Sequence, residues 1–339
     1  MNRTFLLQPP SRRVQSVIYY GYSLWVYIQW IVGSIGCVLT IVLLIRLRHV
    51  LEGPSSQYLL SLATSDLIFL NTMSLKWLEK ISYITGAAYG FYEFYATSEF
   101  ACKFLMVSVN ISIKLSTWTL CLFALERTCA VCAPLKVATV FNRVRRRNVI
   151  VCQWFITVAT EGAMFNEFGI YTYVEDGRQN CIFLTHFRSE ENRNFRLAIS
   201  VYKRITTVIA PYFINISCIT LIAAKLFSRP NRASSKNVRN ISKQEATCIK
   251  NLVAIVSLYI ILSLPNNCVI AILDSNPSLL IWPRKPYMLQ LITLTTATIE
   301  TSNYALNFFV YTISFKRYRS ELRDLLMKLT RFTYHADPY

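Results

Sequence analysis

Apolar residues run in long stretches broken by short polar segments, and the stretches are longer than a soluble core helix needs. A helix rises about 1.5 Å per residue, so roughly 20 apolar residues cross the ~30 Å of hydrocarbon in a bilayer. Seven segments meet that length: 22–45, 57–79, 99–131, 147–168, 199–227, 247–273 and 287–312. The second and seventh are the least apolar, carrying Asp66 and Glu300, and the fourth holds Glu161 and Glu167 toward its far end. Beyond the seventh the pattern changes. From Ser314 to Leu329, Phe315, Tyr318, Leu322, Leu325, Leu326 and Leu329 share one helical face, while Lys316, Arg317, Arg319, Arg323 and Lys328 cover the rest. That pattern predicts an amphipathic helix lying on an anionic inner leaflet. The expected fold is an all-α membrane protein, a seven-transmembrane helix bundle (22–312) preceded by an extracellular tail (1–21). A short amphipathic C-terminal helix and cytoplasmic tail follow at 313–339.

Composition agrees. The chain is 53% hydrophobic and only 16% charged, where a soluble domain carries about 25% charge. A net charge of +18 raises the question of nucleic acid, and placement answers it. The loops after spans one, three and five, together with the C-terminal segment, hold twice as many Lys and Arg as the segments on the other side. The positive-inside rule then puts the N-terminus outside and the C-terminus in the cytoplasm, so the basic excess follows topology and no nucleic-acid role is expected. Phe5-Leu6-Leu7 is too short for a signal-peptide core, which leaves the first span as the targeting element. Of the four Asn-x-Ser/Thr sequons, those at Asn110 and Asn215 fall inside spans and that at Asn240 in a basic loop. Asn2 is therefore the glycosylation candidate.

The third span carries the oddest chemistry. Glu126 and Arg127 stand side by side at the edge of a long apolar helix, and an unpaired charge in hydrocarbon costs several kcal/mol. Either Arg127 snorkels to the interface or the pair has a purpose. Its surroundings supply one. Cys102 lies 25 residues before Arg127, Glu126-Arg127-Thr128 follows Ala124-Leu125, and Pro134 comes soon after. Leu62-Ala63-Thr64-Ser65-Asp66 occupies the second span, Trp154 the fourth, Pro211 the fifth and Pro265 the sixth, with Asn303, Asn307 and Tyr311 in the seventh. In this order the motifs resemble those of the class A (rhodopsin-like) G-protein-coupled receptors across nearly the whole chain. There are departures. Cys37 follows Gly36 where the family has asparagine, Leu262-Ser263-Leu264-Pro265 lacks the usual sixth-span Cys-Trp pair, Phe308 replaces the seventh-span proline, and Ile219 sits where tyrosine is common.

The resemblance implies residue roles. It pairs Cys102 with Cys181 in a disulfide across the outer surface, which an oxidising exterior permits. It makes Glu126, Arg127, Glu245 and Tyr311 a G-protein switch in which an ion pair opens under ligand control. It groups Asp66, Ser116, Asn303 and Asn307 as a polar cluster suited to an allosteric sodium ion, with no other cofactor. The implied partners are an extracellular ligand, a heterotrimeric G protein and the lipid bilayer, at the plasma membrane.

The ligand class is approached by elimination. Amine receptors carry aspartate seven residues after the third-span cysteine, and here that residue is Val109; opsins need a seventh-span lysine, and 287–312 has none. Between Phe168 and Leu184, Ile170-Tyr171-Thr172-Tyr173-Val174, the turn Asp176-Gly177 and Cys181-Ile182-Phe183-Leu184 read as a β-hairpin. Such a lid resembles peptide receptors, so a short (neuro)peptide is the expected ligand. The pocket candidates are Lys76, Glu79, Val109, Glu161, Lys203, Arg204 and Glu300; each of the charged ones could instead sit in a structural salt bridge, and Lys76 and Glu79, three apart on one helix, are the plainest case. Lys114, deeper in the third span, needs an acid, and Glu161 or Glu300 could supply it. The competing class is a transporter or channel lined by these charges, against which stand the absence of an internal repeat and the scarcity of glycine, nine in all. No HExxH pattern or comparable constellation suggests an enzyme.

Overall fold

The computed structural model describes residues 12–46, 55–85, 98–133, 141–172, 179–183, 193–227, 236–275, 287–314, 318–325 and 327. Asn2 lies outside them, as do the side chains of Glu79, Cys181, Glu245 and Tyr311. The elements are α1 (Arg12–Arg46), α2 (Ser55–Thr85), α3 (Glu99–Cys132), α4 (Arg143–Gly162), a 3₁₀ turn (Phe165–Glu167) and the strands β1 (Phe168–Thr172) and β2 (Gln179–Phe183). There follow α5, built as Arg193–Arg204, a π turn Ile205–Ile209 and Ala210–Phe227, then α6 (Lys236–Ser275) and α7 (Tyr287–Ser314). A final helix, α8, spans 318–325.

Packing follows chain order: α1 lies against α2 and α7, α2 against α3, α3 against α4 and α5, and α6 against α7. The main core fills the end of the bundle that carries Arg127, where Leu43, Tyr58, Phe123, Ile222, Leu252 and Ile255 are all nearly inaccessible. Tyr318, Leu322 and Leu325 of α8 join that core while Arg319 and Arg323 stay exposed, so the amphipathic pattern is realised. Outward positions such as Phe155, Phe213 and Ile313 are apolar and exposed, as a lipid-facing surface requires. Close approach of α1 and α7 depends on two glycines. A Cβ on Gly33 would meet Leu70 and Ala305, and one on Gly36 would meet the Phe308 side chain at 2.7 Å. The residue that departs from the family proline thus packs on the residue that precedes the departure in span one.

Among the described residues, six of the helices are long and apolar enough to cross a membrane. α7, 28 residues long, is more polar, and its hydroxyls are satisfied inside the helix: Thr293, Thr296, Thr298 and Thr301 each donate to a carbonyl three or four residues back. Helical backbone and returned hydroxyls leave little for lipid to solvate.

Several boundaries differ from the pattern-based reading: α2 runs on to Thr85, α5 starts at Arg193 and α6 at Lys236, and two helices differ for reasons the local sequence explains. α1 starts at Arg12, inside the segment read as tail, because no breaker follows Pro10 and the polar turn Arg12–Gln15 can be helical outside hydrocarbon. α4 starts at Arg143, where Asn142 Oδ1 caps Arg145 N at 2.8 Å, and ends at Gly162 rather than 168. Its far end is surrendered to β1, whose antiparallel register with β2 sets Phe168 opposite Phe183 and Ile170 opposite Cys181.

Candidate functional site

At the hairpin end the helices part around a cavity of about 440 Å³. Lys76 of α2, Val109 of α3, Glu161 of α4, Lys203 and Arg204 of α5 and Glu300 of α7 all line it. Chain positions more than two hundred residues apart are thereby brought together. Pattern reading missed the α6 contribution, Asn266 and Asn267, and Asn110 of α3. Two consecutive asparagines immediately after Pro265, in an apolar span, were the available signal.

The charges in this cavity are organised. Lys114 and Glu161, both nearly inaccessible, form an ion pair, and the ammonium also stands 4.7 Å from the Tyr202 ring centre. Of the two acids open to Lys114, α4 therefore supplies the partner. Glu300 accepts a hydrogen bond from Asn266 Nδ2 and has no ion-pair partner among the described residues. Lys203 Nζ lies 4.8 Å from the Phe168 ring centre, and Arg204 Nη2 donates to the Ile270 carbonyl at 3.3 Å. The hairpin rests on this end through Phe168, and through Ile170, which packs on Cys102. Cys102 is disulfide-bonded, whereas Cys37, Cys121, Cys129, Cys132, Cys152, Cys218 and Cys268 are free.

Below the cavity α6 and α5 meet through polar groups. Asn267 Nδ2 donates to the Tyr212 hydroxyl (3.2 Å) and to the Ser263 carbonyl (2.9 Å). The Tyr212 and Ser263 hydroxyls are 2.7 Å apart, and Ser263 donates to the Tyr259 carbonyl at 2.5 Å. This cluster brackets Pro265, whose missing N–H loosens α6 there. On α5 the π turn precedes Pro211 for a related reason. In π register the Thr206 carbonyl would need the N–H that Pro211 lacks, and it accepts from Trp118 Nε1 instead at 2.9 Å. Where the family places a large indole on α6, this chain has a hydroxyl network.

Midway along the bundle Asp66 is fully buried. Ser116 Oγ donates to Oδ1 at 2.7 Å and Asn307 Nδ2 to Oδ2 at 2.6 Å. Asn303 is buried one turn before Asn307. Of the grouped residues, Ser116 and Asn307 thus both touch Asp66.

At the opposite end, Glu126 is fully buried and its Oε1 is 3.0 Å from Arg127 Nη2. A second cation shares that oxygen: Arg146 Nε, from the first turn of α4, stands at 3.7 Å. Tyr58 lies beside the same carboxylate and stacks on Phe123, over which the Arg127 guanidinium sits at 5.7 Å. Arg146 is one of several basic residues ahead of the fourth apolar stretch, and it reaches the core because α4 begins at Arg143. Glu245 lies on α6, with its side chain outside the described residues.

The human C-C chemokine receptor type 1 is 26% identical over 218 residues, covering 62% of this chain and 56% of that receptor. The bovine thyrotropin-releasing hormone receptor is 23% identical over 217 residues (63% and 50%). A galanin-like G-protein coupled receptor of Caenorhabditis elegans is 23% identical over 223 residues (64% and 48%). The chain spans about half the length of the curated relatives it matches. The model of the 7 transmembrane receptor (rhodopsin family) matches residues 36–311, most of the chain, and the chain belongs to that family.

Proposed function

We propose that the protein is a plasma-membrane receptor that binds a short extracellular peptide in the cavity under the β-hairpin and activates a heterotrimeric G protein at the Arg127 end. The observation that carries this reading is the cavity itself: six helices bring side chains of both charge signs to one space of about 440 Å³, a lining suited to a ligand with several polar groups. Peptide signals also appear in the names of the hormone and galanin-like relatives. The N-terminus and hairpin are then extracellular, Asn2 is the glycosylation site, and Cys181, opposite Ile170 on β2, is the disulfide partner of Cys102.

In this reading a ligand acts on Glu300 and Asn266 beside Pro265, and the Ser263–Tyr212 cluster passes the change along α5 and α6. Glu126 holds Arg127 until the arginine side chain swings away as the neighbouring helices move, which exposes Arg127, with Glu245 and Tyr311 as the other members of the switch, to the G protein. Asp66 is a buried carboxylate with neutral donors on both oxygens and no ion-pair partner among the described residues, which fits an added cation. Asp66, Ser116, Asn303 and Asn307 would hold sodium, a hard ion matched by oxygen ligands, and its charge would favour the ionised carboxylate.

The test is a neuropeptide-library screen in cells carrying a promiscuous G protein and a calcium readout. An activating peptide is expected to lose its response in Arg127→Ala while surface expression and peptide binding persist. Normal signalling by Arg127→Ala would sink the switch assignment, and ion flux in reconstituted vesicles without nucleotide exchange would favour a transporter.

A further inference from the structure

To the cavity under the hairpin, α6 and α7 contribute the polar side chains of Asn266, Asn267, Thr293, Glu300 and Thr301. The donors of this wall are engaged within the fold. Asn266 Nδ2 donates to Glu300, and Asn267 Nδ2 donates to the Ser263 carbonyl and the Tyr212 hydroxyl. The Thr293 and Thr301 hydroxyls donate to the carbonyls of Leu289 and Ala297. What remains to offer a ligand is acceptors, the Glu300 carboxylate and the Asn267 amide oxygen. We propose that this wall binds a primary ammonium group of the peptide ligand, with Glu300 as its counter-ion.

The neighbours fix both amides. A carboxylate and a carbonyl only accept, so each asparagine turns its nitrogen to them. The Asn266 oxygen in turn lies 3.2 Å from the Thr296 hydroxyl, which holds that amide in the same sense. Glu300 thus receives one neutral hydrogen bond, and none of Lys76, Lys114, Lys203 and Arg204 forms an ion pair with it. Lys114 is taken by Glu161, Lys203 lies over the Phe168 ring, and Arg204 donates to the Ile270 carbonyl. A carboxylate inside a helix bundle without a cation is unfavourable, and a cation brought by the ligand offsets that.

Geometry selects the kind of cation. Asn266 covers one carboxylate oxygen, Oε2, so a point-like ammonium fits better than a guanidinium fork that needs both. Phe69, Met73 and Val109 line the same cavity, so an aliphatic stem beside the charge meets apolar surface. A lysine side chain and a peptide N-terminus share this chemistry. That a peptide carries the ammonium rests on the reading above; the cation site does not.

The experiment uses the full chain in nanodiscs, first with n-butylammonium chloride, a probe that needs no peptide. At about 10 mM, where one charged contact on a small ligand is measurable, it is expected to raise the unfolding temperature of the wild type. n-Butanol and sodium chloride at the same concentration should not, and n-butylguanidinium should do less. Glu300→Gln is expected to lose the shift and Glu300→Asp to keep it. The probe comparisons need only the wild type, so the test stands whatever the stability of the variants. Synthetic tetrapeptides with one lysine each are then offered free, acetylated at the N-terminus, or acetylated at both amines. The wild type is expected to retain the fully acetylated set about tenfold less, the loss of one charged hydrogen bond, and Glu300→Gln should not discriminate. A loss on N-terminal acetylation alone assigns the terminal amine, and a loss only when both amines are blocked assigns lysine. A butylammonium shift unchanged in Glu300→Gln, one reproduced by sodium chloride, or a larger one with butylguanidinium would overturn the ammonium site. Peptides captured without regard to acetylation would overturn it too, and leave the peptide reading intact. A Glu300-dependent butylammonium shift with no peptide captured would instead overturn the peptide reading and leave the cation site standing.

Discussion

Two buried acids of α3 and α4 meet their cations in different ways. Near the hairpin, Glu161 and Lys114 form a pair with one acid and one base, both nearly inaccessible. Near the other end, Glu126 faces two arginines, one on its own helix and one on α4. A one-to-one pair in a low-dielectric interior cannot open without stranding both charges. An acid with two cations can release one and keep the other. The first arrangement suits a fixed wall for a cavity and the second suits a moving part.

Breaking the first pair should therefore give the largest effect. Lys114→Ala or Glu161→Ala leaves a buried charge uncompensated, a loss of about 3–5 kcal/mol, read as a sharp fall in the unfolding temperature of the purified receptor and in surface expression. Lys114→Met/Glu161→Met, which removes both charges and keeps the volume, should recover most of that stability. If the double variant were as unstable as the singles, the pair would be doing something other than compensating charge.

The second arrangement predicts signalling changes with smaller changes in stability. Glu126→Gln frees Arg127 and should raise basal nucleotide exchange. Arg146→Gln should lower it, because Arg127 could then leave only by stranding Glu126. A hydrogen bond to a charged group contributes about 1.5–3 kcal/mol, and 1.4 kcal/mol is tenfold in an equilibrium, so changes of about tenfold are expected in each direction. Opposite signs for the two variants distinguish a shared acid from a simple structural pair, for which both would act alike.

Comparable reasoning applies where α1 meets α7. Gly36→Ala places a methyl 2.7 Å from the Phe308 side chain, while Gly21 has nothing within 4 Å. Gly36→Ala should lower stability by about 1–3 kcal/mol through overpacking, and Gly21→Ala, with gain of helix propensity and no contact, should not.

The bundle was legible because hydrocarbon imposes one rule on the whole chain: long apolar helices with polar groups hidden. Asp66, Glu161 and Glu300 stood out because each breaks that rule. What stayed hidden was which polar group meets which. Nothing local told Lys114 to choose Glu161 over Glu300, since that depends on how α3 and α4 are rotated. Arg146 was obscured by its basic neighbours, because its burial depends on α4 starting earlier than its apolar stretch. The Ser263–Tyr212 cluster, read as a missing indole, is a substitution of one kind of contact by another, and only the facing residue on α5 reveals it.

The smallest expected effect lies where α8 meets α1, and it separates packing from hydrogen bonding. The Tyr318 hydroxyl is 2.9 Å from Thr40 Oγ1, and its ring meets Phe308 edge-on at 6.3 Å. Thr40 also donates to the Gly36 carbonyl at 2.8 Å, so it keeps a partner when the tyrosine hydroxyl is removed. Tyr318→Phe should therefore lower stability by only about 0.5–1.5 kcal/mol, the net contribution of one hydrogen bond. Tyr318→Ala removes the ring from a core shared with Leu322 and Leu325 and should cost about 3–5 kcal/mol. Equal losses for the two variants, measured by thermal unfolding, would mean that α8 is held by the hydroxyl and not by its apolar face.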